Sequence, residues 1–329
     1  MMQTFSTQRS YQQGVALITV LLITAVITII VASMATQQSV DIRRTMNIVD
    51  RNQAYLLTLG AEAWARRVLE EDSKKGPVDY RLEDWAVSLP PIEVEGGTIS
   101  GYIQDQNGCF NLNDLVENGA GRPYDIARFK RLLAVLEISP DLADAVVDWI
   151  DTDNQITYPG GAESDFYARL DPPRAIANRT MVSSSELAQV KGMTPETLAK
   201  LRPQVCALPV ARHTKININT ASPEVLMTLA PGMSPAIVDA IIEARDVPVN
   251  GIPTKGYFKD LNELFKVPPL KSILNSTIES QIKDGFDVKS DFFLVTSNGT
   301  FAQADVVLYS LLERNGSKIT TYYRAQGSY

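Results

Sequence analysis

Residues 13–35 read QGVALITVLLITAVITIIVASMA, and this stretch decides how the rest of the chain is organised. No Asp, Glu, Lys, Arg or His occurs from Tyr11 to Val40. Between Val15 and Ala35, 17 of 21 residues are apolar, the exceptions being Thr19, Thr24, Thr28 and Ser33. At about 1.5 Å per residue, such a run crosses the roughly 30 Å hydrocarbon core of a bilayer as one helix. A secretory signal peptide would carry a shorter apolar core, about 7–15 residues, ending in a small-x-small site. Ala32-Ser33-Met34-Ala35 fits such a site only loosely, so 15–36 reads as a retained, single-pass anchor. Helical character then continues to about Glu71, with Ile42, Val49, Leu56, Leu59, Ala63 and Trp64 near helical spacing, until Gly76-Pro77 stops it. The pattern predicts one helix of about 55 residues, half in lipid and half on a globular head.

Composition removes most catalytic chemistries. The 329 residues are 45% hydrophobic and 21% charged, with a net charge of -7, which suits a folded protein and disfavours one built to coat phosphates. One histidine and two cysteines cannot make a His-rich metal site or a zinc ribbon. His213 has no evident nucleophile partner, and neither a G-x-S-x-G elbow nor a Walker loop is present. The expectation is a protein that is not an enzyme.

At the far end, Phe292–Thr296 leads to Asn298-Gly299, Ala304–Leu312 leads to Asn315-Gly316, and Ile319–Tyr323 follows. Two Asn-Gly dipeptides between β-rich runs predict a three-stranded antiparallel meander, with Gly97–Gln104 as a neighbouring strand. A long helix on such a sheet is an α+β head. Between Gly108 and about Asp284 there is almost no strand signal, so an all-α domain is predicted as an insertion that splits the sheet in sequence. The resulting division is 15–36 for the membrane segment, 37–108 for the first part of the head, 109–285 for the insertion, and 286–329 for the meander.

The insertion holds the chemistry-bearing residues. From Asp148 to Asp171 there are six carboxylates against one base, Arg169. Confined without a counter-ion, carboxylates repel one another, and six to eight oxygens on a flexible loop suit calcium. The spacing is not that of the EF-hand, and a plain solvated acidic loop is the alternative. Further on, Lys215–Arg245 resembles a helix-hairpin-helix unit, and Ser183–Pro203 a degenerate earlier copy. The DNA-gripping form needs a Gly-hydrophobic-Gly hairpin with backbone N–H groups facing phosphate. Here the hairpins are Gly232-Met233-Ser234 and Gly192-Met193-Thr194, and residues 214–246 carry two bases against four acids. No nucleic acid is expected. Ser222 and Ser234 read as helix caps ahead of Pro223 and Pro235, with Leu226, Leu229, Ile237, Ile241 and Ile242 filling a small core.

Read together, these features resemble the type IV pilins and the pseudopilins of type II secretion. Gln13-Gly14 followed at once by Val15 looks like their leader junction, which implies a 1–14 leader, cleavage between Gly14 and Val15 by prepilin peptidase, and methylation of the new N-terminus. The family's Glu at the fifth mature position is Thr19 here. Its absence is a mark of the K-type minor pseudopilins, and the string DWIDTDNQ…GGAESDFYARLDPP…ANR…SSSEL looks like their centre. That resemblance implies calcium, with Asp151, Asp153, Glu163, Asp165 and Asn178 as first-choice ligands and Asp148 and Glu186 as second choices. Ser164 departs from the family, which commonly places an Asp after the Glu. It also implies a protein anchored in the inner membrane with its head in the periplasm. There it would join I-type and J-type minor pseudopilins, and other pseudopilins of the filament, at the pseudopilus tip to start assembly. In that oxidising compartment a Cys109–Cys206 bridge is favoured over two separate thiols. The other functions weighed are a membrane-anchored helix-hairpin-helix receptor for DNA uptake and an anchored, calcium-dependent binding module outside any filament.

Overall fold

The structure, a computed structural model, describes residues 11–209, 213–249 and 252–327. The leader residues 1–10 lie outside them. Helix α1 (Tyr11–Ser73) runs straight through the Gly14–Val15 junction. Its hydroxyl groups are satisfied locally: Thr19 donates to the Ala16 carbonyl at 2.9 Å, Thr28 to Thr24 at 2.7 Å, and Ser33 to Ile30 at 2.9 Å. Such back-bonding lets hydroxyls sit in an apolar helix without an outside partner. The apolar window has a mean hydropathy of 3.0 and none of it is buried inside the protein. From Ala54 onward the helix turns one face inward, burying Ala54, Thr58, Ala61, Glu62, Ala65 and Leu69 at three- and four-residue spacing.

That face lies on a sheet of five strands among the described residues: β1 (Leu89–Val94), β2 (Gly97–Asp105), β11 (Phe292–Phe301), β12 (Ala304–Asn315) and β13 (Lys318–Gln326), in the order β1-β2-β11-β12-β13. All neighbours are antiparallel, and Gly97–Gln104 pairs with β11 from Phe301↔Gly97 to Leu294↔Gln104. Ala65, Leu69, Trp85, Ile103, Phe293, Val295, Leu312 and Ile319 form the core between helix and sheet.

One turn expectation is corrected. Asn315-Gly316 does turn the chain, with Gly316 at φ 61°. Asn298-Gly299 does not: it lies inside β11, and the hairpin closes three residues after Gly299, through Ala302 at φ 52°. Gly299 is there for helix packing. A Cβ on it would stand 2.4 Å from the Ala54 carbonyl oxygen and 3.0 Å from Thr58 Cγ2, so its bare backbone is what lets α1 close on the sheet.

Between β2 and β11 the chain builds a second body. It contains β3 (Phe110–Asn111), β4 (Val116–Glu117), β5 (Ala120–Gly121), α2 (Pro123–Val135), α3 (Leu142–Ile150), α4 (Ser164–Ala168), α5 (Pro195–Leu201) and β6 (Val205–Cys206). There follow β7 (Ile216–Asn217), α6 (Pro223–Leu226), α7 (Pro235–Arg245), β8 (Val247–Val249), β9 (Ile252–Lys255), α8 (Leu261–Leu264), α9 (Pro268–Lys271), α10 (Ser276–Gly285) and β10 (Phe286–Asp287). The all-α expectation is therefore corrected. Among the described residues, β3–β6 and β7–β10 pair in parallel and β4–β5 and β8–β9 antiparallel. Strands of two to four residues are too short to leave a periodic signal. Ser222 accepts from the Val225 N–H at 3.2 Å and Ser234 from Ile237 at 3.4 Å, each just before a helix-opening proline. One continuous apolar core, including Phe129, Leu133, Val146, Leu226, Leu229, Ile237 and Ile241, underlies the whole body.

Candidate metal centre

Helix α3 is buried along its entire length, so its acids are carried inward with its apolar side chains. Asp144, in its first turn, is neutralised by Lys130 Nζ at 2.7 Å. Asp148 comes one turn later, and Asp151 follows as the C-cap. The chain then loops out and returns through Gly160-Gly161. A Cβ on Gly160 would lie 2.0 Å from the Asp141 carbonyl oxygen, and one on Gly161 would lie 2.2 Å from Asp148 Oδ2. The glycine pair therefore lets the returning chain press against α3 and delivers Glu163 to the two aspartates. One carboxylate oxygen each from Asp148, Asp151 and Glu163 lies within 4.8 Å of the others, and all three residues are buried. Two oxygens at about 2.4 Å from a shared calcium ion would be no farther apart than this.

Of the three carboxylates, Asp148 alone has a hydrogen bond of good geometry among the described residues. Asp148 accepts from the Thr157 N–H at 3.1 and 3.2 Å. Asp151 Oδ1, both Glu163 carboxylate oxygens and Asn178 Oδ1 are buried with no hydrogen-bond partner among the described residues. Burial, then the charges of Asp153, Asp148 and Glu163, push the Asp151 carboxyl up to about 7. Burial, then Asp148 and Asp153, push Glu163 up to about 7 as well. Burial also raises Asp148, against its bonds from Thr157. Four donorless oxygens in a buried acidic cluster fit a bound cation, since leaving each one unsatisfied costs about 1–3 kcal/mol or more.

The other sequence-predicted ligands fall in two groups. Asp153 and Asn178 border the cluster: Asn178 Nδ2 donates to the Asp153 carbonyl at 3.2 Å, while the Asp153 side chain accepts from the Gln155 N–H at 2.7 Å. Asp165 and Glu186 are elsewhere. Asp165 is exposed in the first turn of α4, and Glu186 closes a capping box with Ser183 while pairing with Arg179 at 3.5 Å. The structure thus brings Asp148, a second choice, to Asp151 and Glu163, and leaves the first-choice Asp165 exposed: Glu163 ends the extended approach, and Asp165 lies two positions on, in the next helix. Ser164 donates to Asn154 Oδ1 at 3.0 Å and holds the loop rather than the cluster. Asp144 and its partner Lys130 escaped the sequence reading, although the four-residue step from Asp144 to Asp148 places both on one helical face.

Two further expected residues are placed clearly. Cys109 and Cys206 form a disulfide with Cα atoms 5.9 Å apart, joining the start of the insertion to β6. His213 Nε2 lies 3.2 Å from Asp125 Oδ2, and Asp125 also takes Arg128 at 2.9 Å and Arg122 at 3.0 Å, so the histidine is bound into an ion-pair cluster.

Comparison with known proteins identifies the family. A family model described as type II secretion system (T2SS), protein K, matches residues 108–210, and a second of the same description matches 216–289. The type II secretion system protein K of Pectobacterium carotovorum is 33% identical, over 98% of this chain and 98% of its own. The chain belongs to the type II secretion system protein K family. It is thus a K-type minor pseudopilin. The protein K of Pseudomonas aeruginosa is 38% identical over 70% of this chain and 73% of its own. The fold agrees: a chain in the crystal structure of the GspK-GspI-GspJ complex from enterotoxigenic Escherichia coli superposes with a TM-score of 0.75 at 25% identity. That match covers 87% of this chain and all of the other. The long helix, the antiparallel sheet and the mixed α/β content of this protein K fit that fold.

Proposed function

We propose that this minor pseudopilin is anchored in the inner membrane by residues 15–36, with its head in the periplasm. Prepilin peptidase frees it at Gly14–Val15. It then forms the pseudopilus tip with I-type and J-type minor pseudopilins and initiates the filament. The role is nonenzymatic. The observation that carries this reading is the pairing of an uncharged membrane segment 15–36 of α1, with Thr19 bonded to its own helix, and a bulky body inserted between β2 and β11 of the sheet. A membrane segment without a carboxylate needs no subunit above it to supply a counter-charge. The insertion would obstruct further stacking. Support for the partners comes from the GspK-GspI-GspJ complex, whose matching chain shares the fold over its full length.

Calcium is held in this reading by Asp148, Asp151 and Glu163, with Asn178 beside them. It supplies the positive charge that the cluster lacks and fixes the 152–163 loop against α3. The residues of the helix-hairpin-helix-like region serve as scaffold. Arg245 is buried and donates to the Ile218 and Ala221 carbonyls at 3.1 Å each, and Lys215 Nζ donates to the Lys283 carbonyl at 2.7 Å. Bases turned onto backbone carbonyls are not free to meet phosphates, which disfavours the DNA-receptor alternative.

The test is purification of the tagged full chain in mild detergent after co-expression with prepilin peptidase and the I- and J-type subunits. The expected result is an intact mass beginning at Val15 and co-elution of both partners. A chain that still begins at Met1, or that elutes alone, would overturn the proposal.

A further inference from the structure

A second acidic cluster lies at the junction of head and insertion, far in sequence from the first. Asp72 sits near the C-terminal end of α1, and Asp79 and Glu83 follow it in the connecting segment; one carboxylate oxygen of each lies within 4.8 Å of the others. Asp72 and Asp79 are 3% and 1% exposed. The base inside the cluster is Arg314 of β12, which pairs with Asp72 Oδ2 at 3.2 Å and with both oxygens of Asp79. Ser290 adds its N–H to Asp79 Oδ2 at 2.7 Å. Glu83 accepts from the Tyr80 N–H at 3.0 Å and from Trp85 Nε1 at 2.7 Å.

What these bonds leave over points to a ligand. Asp72 Oδ1 is buried with no hydrogen-bond partner among the described residues, although its carboxyl is close enough to Glu83 to interact with it directly. Lys75 also acts on Asp72, but it is exposed and paired with Asp84. Burial pushes Glu83 up to about 7 and Asp79 up to about 6 despite Arg314. A cleft of about 420 Å³, lined by Asp72, Glu83, Lys259 and the stacked rings of Tyr80 and Tyr257, opens onto the cluster.

We infer that Asp72, Asp79 and Glu83 form a second cation site, taking a hard divalent ion such as calcium at the seam between pilin head and insertion. Three carboxylates against one guanidinium leave two negative charges. A divalent ion cancels both, whereas one shared proton cancels only one. Oxygen donors and a solvent-open cleft suit an ion that keeps some of its water. Bound there, it ties the end of α1 to the segment 79–83. Through Arg314 and Ser290 it also ties α1 to β12 and to the chain leaving the insertion.

The test is calcium bound per chain, measured by equilibrium dialysis at pH 7.5 on the full-length protein in detergent. Glu83→Gln and Asp72→Asn should each bind one equivalent fewer than the parent, whatever number the parent binds, so the result does not depend on the Asp148 cluster. Parental stoichiometry in a folded Glu83→Gln chain overturns the inference. So does a changed pH dependence of melting with unchanged calcium, which would mean a shared proton. Should Asp72→Asn fail to fold, terbium decides. In an Asp151→Asn/Glu163→Gln background, emission sensitised by excitation at about 295 nm, where tryptophan absorbs and Tyr80 and Tyr257 scarcely do, should appear and be lost on Trp85→Phe. Emission at that wavelength that survives Trp85→Phe overturns the site.

Discussion

Glu62 in the head and Glu163 in the insertion are 2% and 4% exposed, yet their surroundings are opposite. Glu62 accepts from Arg324 at 2.6 and 2.9 Å, from Arg66 and Thr321 at 2.8 Å, and from Ser310 at 2.7 Å. Burial alone would raise its pKa, but these donors outweigh it and hold Glu62 down at about 2. Glu163 meets no side-chain donor among the described residues; burial with the charges of Asp148 and Asp153 pushes it up to about 7, and the adjacent Ser164 N–H lowers it only slightly. The head satisfies Glu62 from within its own helix and sheet. The insertion leaves Glu163 to be satisfied from outside, and that difference separates a self-sufficient scaffold from a site.

The largest effect expected is on the covalent closure of the insertion. Cys109 and Cys206 are separated by 97 positions, and Cys206 packs with Leu208, Phe292 and Leu311 at the seam with the sheet. Cys206→Ser should cost up to about 4–5 kcal/mol of stability in the chain-entropy picture. Denaturant unfolding with and without reductant checks this: reductant should destabilise the parent and leave the variant unchanged.

Removal of calcium comes next. At a free concentration 100-fold above Kd, a ligand that binds the native state alone stabilises it by about 2.7 kcal/mol, and chelation should remove that. The pH dependence sharpens the point. Unfolded Asp and Glu titrate near pH ~3.9 and ~4.3, whereas folded Asp151 and Glu163 titrate near 7. Between these limits the metal-free native state binds more protons than the unfolded chain. Its stability is therefore full below about pH 4 and declines as pH rises through 7. Calcium requires the ionised form, so its stabilisation should grow over the same range. Melting curves at pH 5 and 7.5, with calcium and with chelator, should show the larger calcium shift at pH 7.5.

A smaller effect is expected in the head. Gly299→Ala puts a methyl group 2.4 Å from the Ala54 carbonyl oxygen, so α1 must shift, at a cost of roughly 1–3 kcal/mol. Calcium titration of this variant should match the parent, because the strain lies in the self-satisfied part. The smallest effect is assigned to Asp165→Asn. That side chain is exposed on α4 and away from the buried cluster, so stability should move by no more than about 0.5 kcal/mol and calcium affinity should hold.

The head was more legible in sequence than the insertion because its elements are long. A helical pattern of about 55 residues and three long β-rich runs set off by turn residues mark them. The failures there trace to tertiary contacts: Asn298-Gly299 carries a turn signature but serves helix packing, and Pro90-Pro91 concealed an edge strand, β1, where missing N–H groups are tolerated. In the insertion the acidic residues were visible as a group, but their division was not. Asp148 enters the cluster because α3 is buried on every side, and Asp165 leaves it because a new helix begins at Ser164. Neither burial nor the pinch at Gly160-Gly161 can be counted from charge spacing. The cluster at Asp72, Asp79 and Glu83 was still harder to see, since Arg314 reaches it from the other half of the split sheet.

The contrast between the two glutamates is tested most directly by melting the full-length Glu163→Gln variant beside the parent, in calcium and in chelator at pH 7.5. The two melting temperatures should cross. In chelator the variant melts higher than the parent, because one uncompensated buried charge is gone. In calcium it melts lower, because a ligand is gone. A variant that is destabilised equally in both conditions, with the parent's calcium shift intact, would contradict that contrast.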